Sequence, residues 1–204
     1  MLLSSLVFAK LFYDVRQARA RRDAVERLVH FPGFVLYENE ERASRNSMPT
    51  FEHSADEGRL KVWLTEQLGI DYFHDVQLVC LSGREEFSDE DFEAACRLSK
   101  LKSLRLGKTA VTDEGFRAVT HLTSIESFSI SSPHLSDDSM LPLSQLRTLK
   151  TLVLFETEIT DDGLHLLTRL SNLEKLNLRK TQVTEEGIKR FQSALPNCEV
   201  RWQG

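Results

Sequence analysis

The sequence lacks the residue patterns that mark catalytic and metal centres. Its three cysteines, Cys80, Cys96 and Cys198, stand far apart and form no C-x-x-C pair, which argues against a zinc site or a disulfide framework. The histidines form neither an H-x-H nor an H-E-x-x-H spacing, and no nucleophile elbow, phosphate-binding loop or dinucleotide fingerprint occurs. We therefore expect a non-enzymatic protein without a metal or other cofactor. Free thiols indicate a reducing compartment, the cytoplasm.

An excess of basic charge is also missing. The chain has 26 Lys and Arg against 31 Asp and Glu, a net charge of −5. Proteins that bind nucleic acid usually carry a basic footprint, so nucleic acid is not the expected partner. Only the first 22 residues are basic, with five Lys or Arg against the single acid Asp14.

No apolar run is as long as the roughly 20 residues of a standard transmembrane helix. The nearest is Met1–Tyr13, which has no basic segment before it and so differs from a secretory signal. Two interpretations stay open. Residues 1–22 either contribute an amphipathic helix that packs on the rest of the protein, or form a weak membrane anchor whose basic cluster keeps the chain on the cytoplasmic face.

What the sequence does have is an internal repeat of 24 residues. Four units begin at Leu101, Ile125, Leu149 and Leu173, and a looser copy begins at Val76. Their shared pattern is L-x-x-L-x-L-x-x-T-x-[VIL]-[ST]-[DE]-[DE]-G-[FLIM]. Four matches at constant spacing and the looser copy, which has one extra residue in its loop, predict a repeat architecture, in which each unit buries its apolar face against its neighbours.

Each unit predicts one strand followed by one helix. The L-x-L stretch has the two-residue alternation of a strand with one buried face. A Ser or Thr then stands at the helix N-cap position, and an acidic pair follows in the first turn, where it faces the positive end of the helix dipole. These capping residues are Ser88, Thr112, Ser136, Thr160 and Thr184. Because the acidic pairs recur in every unit, we interpret them as capping groups and not as catalytic carboxylates.

The residues before the repeats read as a cap over the open end of the stack. Residues 11–30 predict an amphipathic helix that Pro32-Gly33 ends, and residues 34–40 have strand character. Residues 40–57 predict an exposed loop, and Arg59–Leu68 a further helix. We divide the chain into a basic helix at 1–30, a capping region at 31–75 and a repeat domain at 76–204.

The repeat pattern resembles the leucine-rich-repeat family, in particular its bacterial members with T-x-[VI]-T-[DE]-x-G units, and is similar to the cysteine-containing, ribonuclease-inhibitor-like repeats. The resemblance implies an α/β solenoid, a right-handed superhelix with short parallel strands on its concave face and helices on its convex face. Its units would span residues 76–100, 101–124, 125–148, 149–172 and 173–197, with a terminal strand at 198–204. The third unit departs from the pattern through Pro133 and Ser139, where we expect an altered turn.

The resemblance also implies a function, because the family mostly binds proteins. On the concave face, side chains between the buried leucines carry no structural duty, and an aromatic residue rimmed by cations is typical of a binding hot spot. We expect a protein or peptide with acidic groups to bind there through Arg105, Ser129, Val153, Phe155, Lys175, Asn177 and Arg179. A membrane-tethered scaffold is the alternative. An adaptor similar to F-box proteins and a hydrolase rank below it.

Overall fold

The computed structural model describes residues 16–28, 31, 33–37, 76–81 and 87–203. Its centre is one seven-stranded sheet in which the strands lie side by side in sequence order. Strands β2 to β7 are parallel, and β1 pairs antiparallel with β2. The predicted repeat therefore folds as one strand per unit. The strands are β1 (Gly33–Tyr37), β2 (Val76–Leu81), β3 (Ser103–Lys108), β4 (Ser127–Ser131), β5 (Thr151–Phe155), β6 (Lys175–Arg179) and β7 (Glu199–Gln203).

A helix or helical turn follows each of strands β2 to β6. The first described helix, α1, includes residues 16–28. Short 3-10 turns extend three of the later helices at Arg117–His121, Asp137–Ser139 and Leu167–Arg169. The remaining helices are α2 (Asp89–Cys96), α3 (Asp113–Phe116), α4 (Met140–Leu143), α5 (Asp161–Leu166) and α6 (Glu185–Ala194). The prediction of an α/β leucine-rich-repeat solenoid is confirmed in this element order.

The core lies between the sheet and the helices. Both apolar residues of each L-x-L stretch in β3 to β6 are buried, and the phenylalanines Phe92, Phe116 and Phe128 pack together, with Phe92 and Phe116 stacked at 5.3 Å between ring centroids. Full burial of such a side chain contributes about 1.5–3 kcal/mol. The rings come from α2, α3 and β4, so this stabilisation arises from contact between successive units.

The predicted N-caps hold their helices, and the structure adds a contact that the sequence did not reveal. Thr112, Thr160 and Thr184 each accept a backbone N–H of their own first turn. Each of them also donates its backbone N–H and its hydroxyl to an aspartate of the preceding unit, at N···O distances of 2.8 Å and O···O distances of 2.6–2.7 Å. Ser136 makes the same pair of bonds. We call the four acceptors the aspartate ladder: Asp89, Asp113, Asp137 and Asp161.

The ladder also accounts for the glycine that ends the repeat pattern. A Cβ atom at Gly115, Gly163 or Gly187 would overlap the carboxylate of the ladder aspartate in the preceding unit. The glycine is therefore required because a side chain would not fit beside the aspartate, and not because of its backbone freedom. In the third unit Ser139 takes its place, is fully buried, and donates its hydroxyl to Asp113. The helix there begins as a 3-10 turn, and the β3–β4 register shifts after Arg105, so the predicted local change is confirmed.

The first unit has no preceding aspartate in the ladder and supplies its own. Asp91 stands where the other units have glycine or Ser139, and its carboxylate accepts both the backbone N–H and the hydroxyl of Ser88, at 2.9 and 2.8 Å. Arg27 of α1 reaches the same carboxylate at 2.5 Å and Glu90 at 2.8 Å. Desolvation would raise the pKa of Asp91, but the bonds from Ser88 and Arg27 outweigh it and the net pKa is lowered.

Helix α1 packs on the first unit through its apolar side. Ala18, Ala24, Val25 and Leu28 are buried, and the last three belong to the common core. Strand β1 extends the sheet beside β2, where strand character was predicted. The proposed anchor at Met1–Tyr13, the loop at 40–57 and the helix at Arg59–Leu68 lie outside the described residues. Among the residues that are described, no helix is long and apolar enough to cross a membrane.

Candidate functional site

One face of the sheet carries the side chains that alternate with the buried leucines. The strand register places Arg105, Ser129, Val153 and Asn177 in one row across β3 to β6, flanked by Cys80 and Arg201. A second row joins Thr151 to Lys175, and Phe155 lies beside Ser131. All seven residues predicted for the binding site therefore share this concave face. We call the group formed by them the concave patch.

The exposure of the patch suits contact with a partner. Arg105, Lys175 and Arg179 are exposed, whereas Ser129, Val153, Phe155 and Asn177 are half-buried. None of the three cations forms an ion pair with any described residue. The carboxamide oxygen of Asn177 accepts a hydrogen bond from the backbone N–H of Arg179 at 3.2 Å. The patch thus presents positive charge around an apolar centre.

The ring of Phe155 is partly covered by a residue that the sequence prediction left out. The ammonium of Lys180 lies 4.9 Å from the ring centroid, within the range of a cation–π contact. The same ammonium forms an ion pair of 2.5 Å with Glu156. The hydrogen bond from Lys180 lowers the pKa of Glu156, with smaller contributions from Lys108 and from the Ser131 hydroxyl at 3.5 Å.

Glu156 and Lys180 share a second property. Both have a left-handed backbone conformation, with φ of 54° and 57°, which residues other than glycine and asparagine rarely adopt. They occupy equivalent positions directly after β5 and β6, and the N–H of Glu156 donates to the carbonyl of Arg179 at 3.2 Å. Strained backbone of this kind is concentrated at functional sites, and here it lies beside Phe155 and Arg179.

A signal for the missed pair was present in the sequence. Glu156 and Lys180 have opposite charges and lie 24 residues apart, which is one repeat, so a solenoid must bring them next to each other. The same rule accounts for the ion pair between Glu126 and Lys150, at 2.8 Å. Once the period is known, opposite charges on neighbouring units can therefore be predicted from the sequence. The distance between the charged groups and the contact of Lys180 with Phe155 cannot.

The acidic pairs at the helix starts have structural partners in part. The first acid of each pair from Asp89 to Asp161 belongs to the aspartate ladder, and Glu185 of the last unit pairs with Lys189 at 2.7 Å. Cys96 and Cys198 are buried free thiols, and burial raises the pKa of Cys198 to about 11. Cys80 is half-buried on the concave face. Within the described parts of the chain, no group of His, Cys, Asp and Glu is arranged to hold a metal ion.

Comparison with known proteins agrees with the repeat pattern. A sequence model described as leucine-rich repeat matches residues 145–167, which run from the end of the third unit into the fourth. A search of curated proteins finds no significant match. An internalin of Listeria monocytogenes is 21% identical, with a TM-score of 0.46, over 61% of this chain and 34% of its own. A leucine-rich-repeat protein of Leptospira interrogans is 19% identical, with a TM-score of 0.39, over 59% and 34%.

An internalin C2 of Listeria monocytogenes is 14% identical, with a TM-score of 0.31, over 63% of this chain and 81% of its own. The chain spans about a third of the length of the first two of these structures. Proteins of this class are in general non-catalytic and bind other proteins. Its 24-residue units, their strand-and-helix coil and the family match within the repeats make this chain a leucine-rich-repeat protein.

Proposed function

We propose that the chain is a non-catalytic interaction module that binds a protein or peptide segment on its concave patch. One observation carries the proposal: Arg105, Lys175 and Arg179 are exposed without an ion partner among the described residues, around the half-buried Phe155. Cations kept unpaired beside an apolar anchor complement a segment that has both acidic and apolar side chains.

The dimensions of the patch favour a short segment. Four neighbouring strands, β3 to β6, carry the residues concerned, and parallel strands lie about 4.8 Å apart, so the patch measures roughly 15 Å across the strands. Such a width accommodates a few residues of extended peptide or the edge of a small domain. Because the cations are exposed, they contribute mainly to the association rate and to selectivity, and Phe155 with Val153 contributes the apolar contact.

We also propose a cytoplasmic location for this module, because a reducing compartment is where free thiols such as Cys80, Cys96 and Cys198 persist. The proposal of a membrane anchor within residues 1–22 is independent of this function. Binding on the concave patch is possible whether or not these residues attach to a membrane.

A peptide-display selection tests the proposed function. The wild-type chain is used to select from a library of random peptides, and the enriched peptides are measured against the variant Arg105→Glu/Arg179→Glu. We expect enrichment of peptides that combine Asp or Glu with an apolar residue, and a loss of affinity of at least tenfold in the variant. The matched control is Arg117→Glu/Lys189→Glu, which makes the same change of charge on the helices.

Retention of affinity in the control and its loss in the concave variant would support the proposal. Equal loss in both variants would attribute binding to net charge and contradict a site on the concave patch. Enrichment of no peptide above an empty-bead background would count against a peptide-binding module. Circular dichroism on every variant separates a lost contact from a lost fold.

A further inference from the structure

Two exposed cations of the concave patch lie on the same side of one strand, β6. Lys175 and Arg179 are four residues apart, and because side chains alternate along a strand, both face the concave side, with Asn177 between them. A strand rises about 3.3 Å per residue, so roughly 13 Å separates their Cα atoms. A partner that binds both cations must place two anionic groups at a matching distance.

The strand next to β6 leaves both cations available. Lys175 lies beside Glu199 of β7, but the carboxylate of Glu199 is bound by Arg201 at 3.0 Å. Arg179 lies beside the uncharged Gln203. Neither Lys175 nor Arg179 forms an ion pair with any described residue. Both are therefore open to the carboxylates of a partner.

The charges that follow β5 and β6 are already paired with each other. Glu156 and Lys180 come directly after the two strands and form an ion pair. The carboxylate of Glu156 is thus bound by Lys180 and not by Arg179. The ammonium of Lys180 also contacts the ring of Phe155, so it is held in place on the protein itself.

The apolar part of the concave patch lies beside the two cations, on β5. Val153 is the register partner of Asn177 and so lies midway between Lys175 and Arg179 along the strand direction. Phe155 follows two residues later on the same side, and both apolar side chains are half-buried. A segment that reaches both cations therefore passes an apolar contact at its middle.

An extended peptide matches this arrangement with few residues. Its side chains alternate, so positions i, i+2 and i+4 point to one side and span roughly 13 Å. In a helix, positions i and i+4 are only about 6 Å apart, and roughly nine residues are needed to cover the same distance. A docked helix also needs apolar surface for anchors at i, i+3, i+4 and i+7, whereas this strand offers Val153 and Phe155.

We propose that the partner of the concave patch is an extended segment with the motif acid-x-apolar-x-acid, which lies along β6 and pairs its two carboxylates with Lys175 and Arg179. The central apolar side chain contacts Val153 and Phe155. This inference rests on the proposed function and narrows it. Arg105 lies three strands away, roughly 14 Å across the sheet, and contacts the partner outside the motif.

The spacing of acids among selected peptides tests the motif. The full chain selects from a random-peptide library at low salt, where exposed charges are least screened. Acids four residues apart around an apolar residue are expected to be enriched about fivefold over every other spacing, which is the effect of one additional exposed ion pair.

Charge reversal assigns each acid to its cation. A selection on Lys175→Glu is expected to replace the acid at one end of the motif by Lys or Arg, and a selection on Arg179→Glu to replace the acid at the other end, because like charges are excluded. The matched control, Arg117→Glu on the convex side, makes the same change of charge and is expected to return the wild-type motif. Circular dichroism confirms that each variant is folded.

Acids without a preferred spacing, or eight to nine residues apart as in a helix, would overturn the extended motif and leave the concave patch as a binding site. The same holds if Lys175→Glu still selects an acid at both ends. Enrichment of no peptide would contradict the proposed function, and this inference with it.

Discussion

The carboxylate of Asp161 accepts two hydrogen bonds from Thr184, one from its backbone N–H at 2.8 Å and one from its hydroxyl at 2.7 Å. Thr184 is the N-cap of the next helix, so one side chain joins two neighbouring units through residues that lie 23 apart in sequence. The hydroxyl and N–H bonds from Thr184 lower the pKa of Asp161, as expected of a carboxylate whose charged form is bound.

Replacement of Asp161 by Asn is expected to destabilise the protein by about 1–2 kcal/mol, because an amide is able to accept only one of the two bonds and loses its charge. Urea unfolding followed by circular dichroism measures the change. Asp162→Asn is the matched control, since the Asp162 side chain is exposed and accepts no hydrogen bond from the described residues. Equal effects of the two substitutions would contradict a specific role for the ladder.

Replacement of Gly163 by Ala is expected to cost about 1–3 kcal/mol, because the new methyl group overlaps the carboxylate of Asp137. The effect depends on that neighbour. In an Asp137→Ala background the same substitution is expected to cost much less, and a double-mutant cycle from urea unfolding gives the coupling energy. A coupling energy near zero would show that Gly163 is required for some reason other than the ladder.

Asp91→Gly gives the first unit the glycine of the regular pattern, and nevertheless we expect it to destabilise the protein by about 1–3 kcal/mol. The substitution removes the acceptor for the backbone N–H and hydroxyl of Ser88 and the buried partner of Arg27. Thermal unfolding is the measurement, and Glu114→Ala, at the equivalent exposed carboxylate of the next unit, is the control, since Glu114 forms no ion pair with a described residue. A gain in stability, as expected if glycine were simply the better residue at this position of the repeat, would refute the role assigned to Asp91.

The dependence of stability on pH follows from the same carboxylates. The pKa values of Asp91 and Asp161 are lowered in the folded state, and so is that of Asp113, where bonds from Ser136 and Ser139 outweigh desolvation. Their contribution is complete above the unfolded pKa of about 3.9 and is lost as the pH falls through the folded values. The free energy of unfolding is therefore expected to fall as the pH drops below about 4.

Urea titrations between pH 7 and pH 3 check this expectation. The slope on the acid side is expected to be smaller in Asp113→Asn, which lacks one of the three titrating groups. A free energy of unfolding that stays constant down to pH 3 would contradict the lowered pKa values.

The fold could be predicted from the sequence because each local feature of the repeat recurs in five units. The period, the buried leucines and the N-caps at Thr112, Thr160 and Thr184 all depend on chemistry within one unit. The face on which Val153 and Phe155 lie followed from strand alternation alone. For these features, knowledge of one unit was sufficient, and the structure agrees.

Contacts between units were harder to foresee. The first acidic residue of each pair was interpreted as a partner of its own helix dipole, whereas Asp137 and its equivalents reach the next unit. Predicting that contact requires the offset between neighbouring helices, which no single unit encodes. The position of the Lys180 ammonium over the Phe155 ring was also not predicted. Lys180 has a left-handed backbone, and the direction of its side chain does not follow from the period of the repeat.

The aspartate ladder has a direction, and its two ends differ from its middle. Before the ladder, Asp91 binds Ser88 within a single unit, and after it, in α6, the longer Glu185 replaces the aspartate and binds Lys189 of its own helix. Every unit between these ends offers a carboxylate forward and receives one from behind, and the fourth unit does so with the regular aspartate and glycine. A duplicated copy of residues 149–172, inserted after residue 172, would meet the contacts it needs on both sides. The concave surface is therefore expected to tolerate extension by one strand at this place, while Asp91 and Glu185 at the two ends keep their own contacts.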